Sequence, residues 1–139
     1  LITPNMGDTV SDIGKNIDYI LQDSNGNYWF ASNGEGAYLY NGKTLTHITE
    51  KHGLCSNFVL KIEEDETGNL WFSTRDGICR LTGNSFVNYT DFINHAPNVK
   101  LTVVNGGLFF NRLNDICFYD GKTFTGFTIH PDTYTPSPG

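Results

Sequence analysis

Charged and amide side chains gather in a few short segments: Asn33-Gly34-Glu35, Arg75-Asp76, Arg112-Leu113-Asn114 and the stretch from His52 to Asn57. An arginine or carboxylate flanked by amides orients a ligand through charge and hydrogen bonds. Such groups recognise; they do not by themselves make or break bonds. Asn33, Glu35, Asn57, Arg75, Asp76 and Arg112 are therefore the candidate ligand-binding residues, with Arg75 and Glu35 first among them. The plainer alternative for each segment is an exposed polar turn that binds nothing, since loops are polar whether or not they hold a ligand.

Residues for covalent or metal chemistry are not patterned for it. No Gly-x-Ser-x-Gly, phosphate-cradling Gly-Lys-Ser/Thr or dinucleotide-binding glycine pattern occurs. Glu63, Glu64 and Asp65 are consecutive, so on a strand neighbouring carboxylates point to opposite faces and cannot share one substrate. His47, His52, His95 and His130 lack the i, i+4 spacing of a helical metal site. Cys55, Cys79 and Cys117 form no CxxC pair, which indicates neither a zinc site nor a disulfide framework. No catalytic residue, metal or cofactor is expected.

The composition narrows the partners. A formal charge of −6, with no run of Lys or Arg, disfavours nucleic acid and anionic membrane surfaces. No apolar stretch approaches the roughly 20 residues of a membrane-spanning helix. Leu1 to Val10 has neither a basic start nor an apolar core, as expected of a mature or truncated chain. Aromatic residues reach 14%, and Asn-Gly and Asp-Gly pairs interrupt short apolar runs at close intervals. That punctuation belongs to β-hairpins and predicts an all-β fold.

The elements that must position these groups repeat. Asp23-Ser-Asn-Gly26-Asn27-Tyr-Trp29-Phe30 recurs as Asp65-Glu-Thr-Gly68-Asn69-Leu-Trp71-Phe72, an offset of 42. Gly36, Gly42, Leu45 and Thr49 are answered by Gly77, Gly83, Phe86 and Thr90 at an offset of 41. A weaker third copy, at an offset of 38, places Gly106 to Phe110 where Gly68 to Phe72 stood, with Ile116-Cys117, Gly121 and Phe124 following. Each copy reads as four strands, and four strands in a period of about 40 residues make one propeller blade. The strands are predicted at 17–22, 28–32, 37–40 and 45–49; at 59–64, 70–74, 78–81 and 85–89; and near 100–104, 108–111, 115–119 and 123–127.

Asp23 and Asp65 suit the acceptance of hydrogen bonds from their own turns, and Gly26 and Gly68 supply positive φ. Trp29 and Trp71 fill the wedge between blades, which leaves little scope for stacking on a sugar. The third copy lacks the Asp and the Trp, and its Asn105-Gly106 predicts a tighter hairpin and a less regular blade. Cys79 and Cys117 occupy matching places one blade apart, too distant for a disulfide, and are expected to be buried thiols.

With the signature laid out, the chain resembles the two-component regulator propeller repeats, which carry an Asp-x-x-Gly-Asn-x-Trp-x-x-Thr pattern. It stands here as Asp23-Gly26-Asn27-Trp29 and Asp65-Gly68-Asn69-Trp71-Thr74, with Gly53-Leu54-Cys55-Ser56-Asn57 matching the linker into the next blade. Ser32 replaces the usual Thr in the first copy. The Asp-box of sialidases is set aside, because Ser24 and Glu66 stand where it needs Asp. The resemblance implies a bacterial periplasmic or cell-surface propeller, most familiar as the sensory part of hybrid two-component systems that respond to glycans. In that setting the sequon Asn88-Tyr89-Thr90 means little.

The expected architecture is a single partial β-propeller domain over 1–139, with blades at about 15–50, 57–90 and 99–128 and a Pro-rich tail at 129–139. Closed propellers have about four to eight blades, so three would leave two outer apolar faces uncovered. Further blades of the same chain, a second copy or a different envelope protein would have to cover them. The expected function is a non-enzymatic module for ligand sensing, with a glycan as a candidate ligand, or for protein interaction. The alternatives are a structural subunit of a cell-envelope assembly and, less favoured, a polysaccharide-active enzyme.

Overall fold

The computed structural model describes residues 6–89, 100–111 and 115–128. Arg112 to Asn114, Thr90, His95, His130 and the Pro-rich tail lie outside the described residues. Three antiparallel sheets follow one another along the chain. The first holds β1 (Asp8–Val10), β2 (Ile17–Gln22), β3 (Tyr28–Ser32), β4 (Gly36–Tyr40) and β5 (Leu45–Ile48), in the order β1-β5-β4-β3-β2. The second is β6 (Val59–Glu64), β7 (Leu70–Thr74), β8 (Gly77–Thr82) and β9 (Ser85–Asn88). The third is β10 (Lys100–Val104), β11 (Gly107–Asn111), β12 (Asp115–Tyr119) and β13 (Phe124–Thr128). Twelve of these strands fall within a residue of the bounds read from the repeat, and β1 is new.

The repeated turns explain why the strands end where they do. Asp23 Oδ1 accepts the amides of Asn25 and Asn27, each at 2.9 Å, while Gly26 takes φ +86°. Asp65 Oδ1 does the same for Thr67 at 2.9 Å and Asn69 at 3.0 Å, with Gly68 at φ +85°. In the third sheet Val104 pairs directly with Gly107, so Asn105-Gly106 forms the tighter turn that the sequence predicts. That sheet is nevertheless a complete four-stranded meander. The register also slips once between Ile17 and Tyr19 and once between Val59 and Lys61, a β-bulge at the same place in the first two blades.

The sheets pack face to face with a fixed hand-over of aromatic rings. Trp29 of the first blade meets Phe72 of the second edge-on at 5.6 Å between centroids. Trp71 of the second meets Phe110 of the third at 5.4 Å. Both tryptophans are 0% exposed. Two cores result: one around Trp29, Ile62 and Phe72 between the first and second blades, the other around Trp71, Leu108 and Phe110 between the second and third. The innermost strands β2, β6 and β10 are in contact in that order, which is the arrangement of blades around an axis.

One position breaks the pattern. Arg80 pairs with Trp71 where Leu39 pairs with Trp29. Its guanidinium lies 5.3, 5.5 and 5.7 Å from the ring centroids of Trp71, Tyr89 and Tyr119. Its Nη1 donates to the Tyr119 hydroxyl at 2.7 Å, an aromatic setting that suits a planar cation.

Among the described residues, two faces have no neighbouring sheet. On the first blade Ile20, Tyr28 and Tyr40 are 60%, 40% and 38% exposed, beside a shallow recess of about 600 Å³ lined in part by Phe30, Tyr40 and Leu45. On the third blade Phe127 is 54% exposed.

Candidate functional site

The loops between the second and third strands of the first two blades, and the linker between those blades, meet at one end of the sheets. The linker starts as a 3-10 turn at Glu50–His52, where the Thr49 amide donates to His52 Nδ1 at 3.0 Å and Gly53 closes the turn at φ +104°. Glu50 and Asn57 then clasp each other: the Glu50 amide donates to Asn57 Oδ1 at 2.8 Å and the Asn57 amide to Glu50 Oε2 at 3.0 Å. The Asn57 carbonyl accepts from Gly34 at 3.0 Å and Gly36 at 2.7 Å. Asn33 bridges to Phe58, and the Arg75 amide donates to the Phe58 carbonyl at 2.9 Å. Asp76 accepts from the Ser56 hydroxyl at 2.8 Å.

Asn33, Asn57, Arg75 and Asp76 are thus brought together on one surface. Arg75 is its prominent side chain. Its guanidinium lies flat over the Phe58 ring, 3.6 Å from the centroid, with Nε 3.6 Å from Asp76 Oδ1 and both side chains about half exposed, at 52% and 54%. A cation held against a ring and a carboxylate at this exposure adds little stability, and about half of the side chain stays open to solvent. Phe58 is the residue that sequence reasoning missed. Its signal was an apolar side chain straight after Ser56-Asn57, at the place that Asn16 holds one blade earlier.

Glu35 lies at the same end but is committed elsewhere. Its Oε1 accepts from the Tyr38 hydroxyl at 3.1 Å and the Lys15 amide at 3.3 Å, and a side chain at Gly14 would collide with it. Tyr38 stacks on His47 at 4.3 Å, and burial, reinforced by the Glu35 carboxylate, pushes its hydroxyl pKa up. Glu35 therefore organises the edge of the first blade rather than facing outward with Arg75. Arg112 lies outside the described residues.

Several groups with chemical potential have other partners. Glu63 pairs with Lys61 at 2.7 Å, and Glu64 accepts both the amide and the hydroxyl of Ser24 from the first blade, at 2.9 and 2.6 Å. Asp65 Oδ2 accepts the Trp71 indole N–H at 2.8 Å. The three successive carboxylates serve three different structures. Trp29 donates likewise to Asp23 Oδ2 at 2.9 Å, so both indoles are buried and tethered, closed to stacking on a ligand. At the opposite end from Arg75, a recess of about 440 Å³ lies between the turns of the first two blades, lined in part by Asn25, Asn27, Asn41 and Asn69. None of the sequence-predicted binding residues among the described residues lines it. Among the described residues, no group of three His, Cys, Asp or Glu side chains is placed to hold a metal ion, and no helix is long and apolar enough to cross a membrane.

Comparison with known proteins gives this geometry a context. Residues 11–34 and 53–76 match the family model of the two component regulator propeller. No curated protein matches the sequence. Among solved structures, the extracellular domain of a protein described as a hybrid two component system of B. thetaiotaomicron is similar at 27% identity and a TM-score of 0.62, over 76% of this chain and 16% of that one. Virginiamycin B lyase from Staphylococcus aureus, in a catalytically inactive form with quinupristin, is similar at 19% identity and a TM-score of 0.62, over 93% and 44%. PorZ, a surface component of the type-IX secretion system of Porphyromonas gingivalis, is similar at 17% identity and a TM-score of 0.56, over 79% and 15%. The last two likenesses concern the fold alone. Residues 11–34 and 53–76 therefore match two repeats of the two component regulator propeller, and the chain is built of β-propeller blades.

Proposed function

We propose that this chain is one partial propeller domain of a bacterial periplasmic or cell-surface sensor, and that it recognises a ligand or protein partner without catalysis. The observation that carries this reading is the surface formed by Asn33, Asn57, Phe58, Arg75 and Asp76, where backbone hydrogen bonds fix two loops and a linker while the Arg75 guanidinium stays half exposed. A fixed frame presenting one outward cation and several amides is suited to orienting a polar ligand such as an oligosaccharide or an acidic peptide. The likeness to an extracellular two-component domain supports the location. Screening the protein against an oligosaccharide panel by thermal shift should find a ligand whose stabilisation drops at least about tenfold in affinity in Arg75→Ala, a loss of about 1.4 kcal/mol. Silence across a broad panel, or binding indifferent to Arg75, would count against it.

A second reading, a structural subunit of an envelope assembly, is favoured by the uncovered faces bearing Ile20, Tyr28, Tyr40 and Phe127. It predicts a stoichiometric protein partner on affinity capture from the native envelope.

A further inference from the structure

Cys55 and Cys79 are 24 positions apart in sequence, yet the fold brings their sulfurs to 2.7 Å. Cys55 sits in the linker between the buried side chains of Leu54 and Ser56, and Cys79 sits mid-strand in β8, paired across to Phe72 and Asn88. The Cys55 amide also points at Cys79 Sγ, at 3.4 Å, and the Thr74 hydroxyl lies 3.8 Å from Cys55 Sγ. An S–S bond is about 2.05 Å long, so a small side-chain rotation closes the remaining gap. Cys79 is buried while Cys55 is partly exposed, so one sulfur is reachable by an exchange partner and the other waits behind it.

We propose that Cys55 and Cys79 form a disulfide that staples the interblade linker to the second blade, made by exchange with an oxidised dithiol or glutathione disulfide. The Cys55 thiolate attacks one sulfur of the donor disulfide, whose S–S bond breaks and releases one thiolate. Cys79, losing its proton to that leaving thiolate, then attacks Cys55 Sγ and expels the second donor sulfur as a thiolate, which takes up the proton that Cys55 had released to solvent. Two protein thiols thereby give up two electrons and two protons, and the donor disulfide becomes two thiols. The order follows from the surroundings: hydrogen bonding from Cys79 lowers the Cys55 pKa, whereas burial raises that of Cys79. The staple would hold Ser56 against Asp76 and Asn57 against Gly34 and Gly36, the contacts that fix the candidate surface. The extracytoplasmic reading bears only on where the oxidant comes from, because the test supplies its own.

The intact protein is incubated with glutathione disulfide, blocked with iodoacetamide and digested with trypsin without reduction. Cleavage after Lys51, Lys61, Arg75 and Arg80 isolates residues 52–61 and 76–80. The expected result is one cross-linked species of those two peptides that separates with dithiothreitol. The oxidised protein should melt about 5–10 °C above the reduced one, a shift lost in Cys55→Ser and in Cys79→Ser but kept in Cys117→Ser. Recovery of the two peptides singly after oxidation, whether alkylated or glutathionylated, would overturn the proposal even if a melting shift were seen.

Discussion

Asp23 and Asp65 show how one side chain can set both a turn and a core. One carboxylate oxygen accepts two amides of the following turn, and the other accepts the indole N–H of the tryptophan six positions on. A buried indole N–H without a partner is costly, so turn and wedge are specified together. The third blade loses both residues at once and replaces the long turn with Asn105-Gly106, as this coupling requires. The coupling can be measured by a double-mutant cycle in urea. Asp65→Ala should cost about 2–3 kcal/mol, because it strips a buried donor and the turn amides of their acceptor. In a Trp71→Phe background the same change should cost about 1 kcal/mol less. Equal costs in both backgrounds would mean that the indole contact contributes nothing.

Strands were legible because each turn announces itself: Asp-x-x-Gly and Asn-Gly leave few places for a strand to end, and twelve strands followed from them. β1 was not legible. Asp8–Val10 has only three residues and no alternation of its own, and it exists as a strand by pairing with β5, Asp8 opposite His47 and Val10 opposite Leu45. There it covers an edge that would otherwise present unpaired backbone groups. The candidate surface was half legible for a similar reason. Polar loop residues could be listed from sequence, but which of them point outward depends on long-range partners, as Glu35 shows by turning to Tyr38 and Lys15. The Cys55–Cys79 approach is not legible in the sequence, where only Cys79 and Cys117 hold equivalent strand positions, because Cys55 lies in a linker that folds back over the sheet. The attachment of β1 also has a pH dependence of known sign. A hydrogen bond from Lys51 lowers the Asp8 pKa, so this carboxylate supports β1 above the ordinary carboxylate range. That support is lost as pH falls through the lowered value. Hydrogen exchange of the Leu45 and His47 amides, which face β1, corrected for the intrinsic pH effect, should show protection declining in acid, and Asp8→Asn should remove that dependence.

Each blade covers the next with the same hand: the tryptophan face of one lies on the phenylalanine face of its successor, Trp29 on Phe72 and Trp71 on Phe110. Phe30 is the first blade's counterpart of Phe72, and with Ile20, Tyr28 and Tyr40 it makes a face ready for another blade of the same kind. At the far end Phe127 shares a sheet with Phe109 and Phe118, whose rings lie 4.8 Å apart. The two ends thus complement each other in the head-to-tail sense, which produces a ring if the rotation closes and a chain if it does not. The chain spans 16% of each of two extracellular domains that it resembles, and on the present proposal further blades of this kind supply the missing cover. The consequence can be tested with the 139-residue chain alone. Its light-scattering mass should exceed that of a monomer and rise with concentration. Ile20→Lys, which places a charge on the exposed face at its inner strand β2, should lower that mass while leaving the β-sheet circular dichroism unchanged. A folded chain that stays monomeric at high micromolar concentration would show that these faces tolerate water, and the case for covering blades would lose its physical basis.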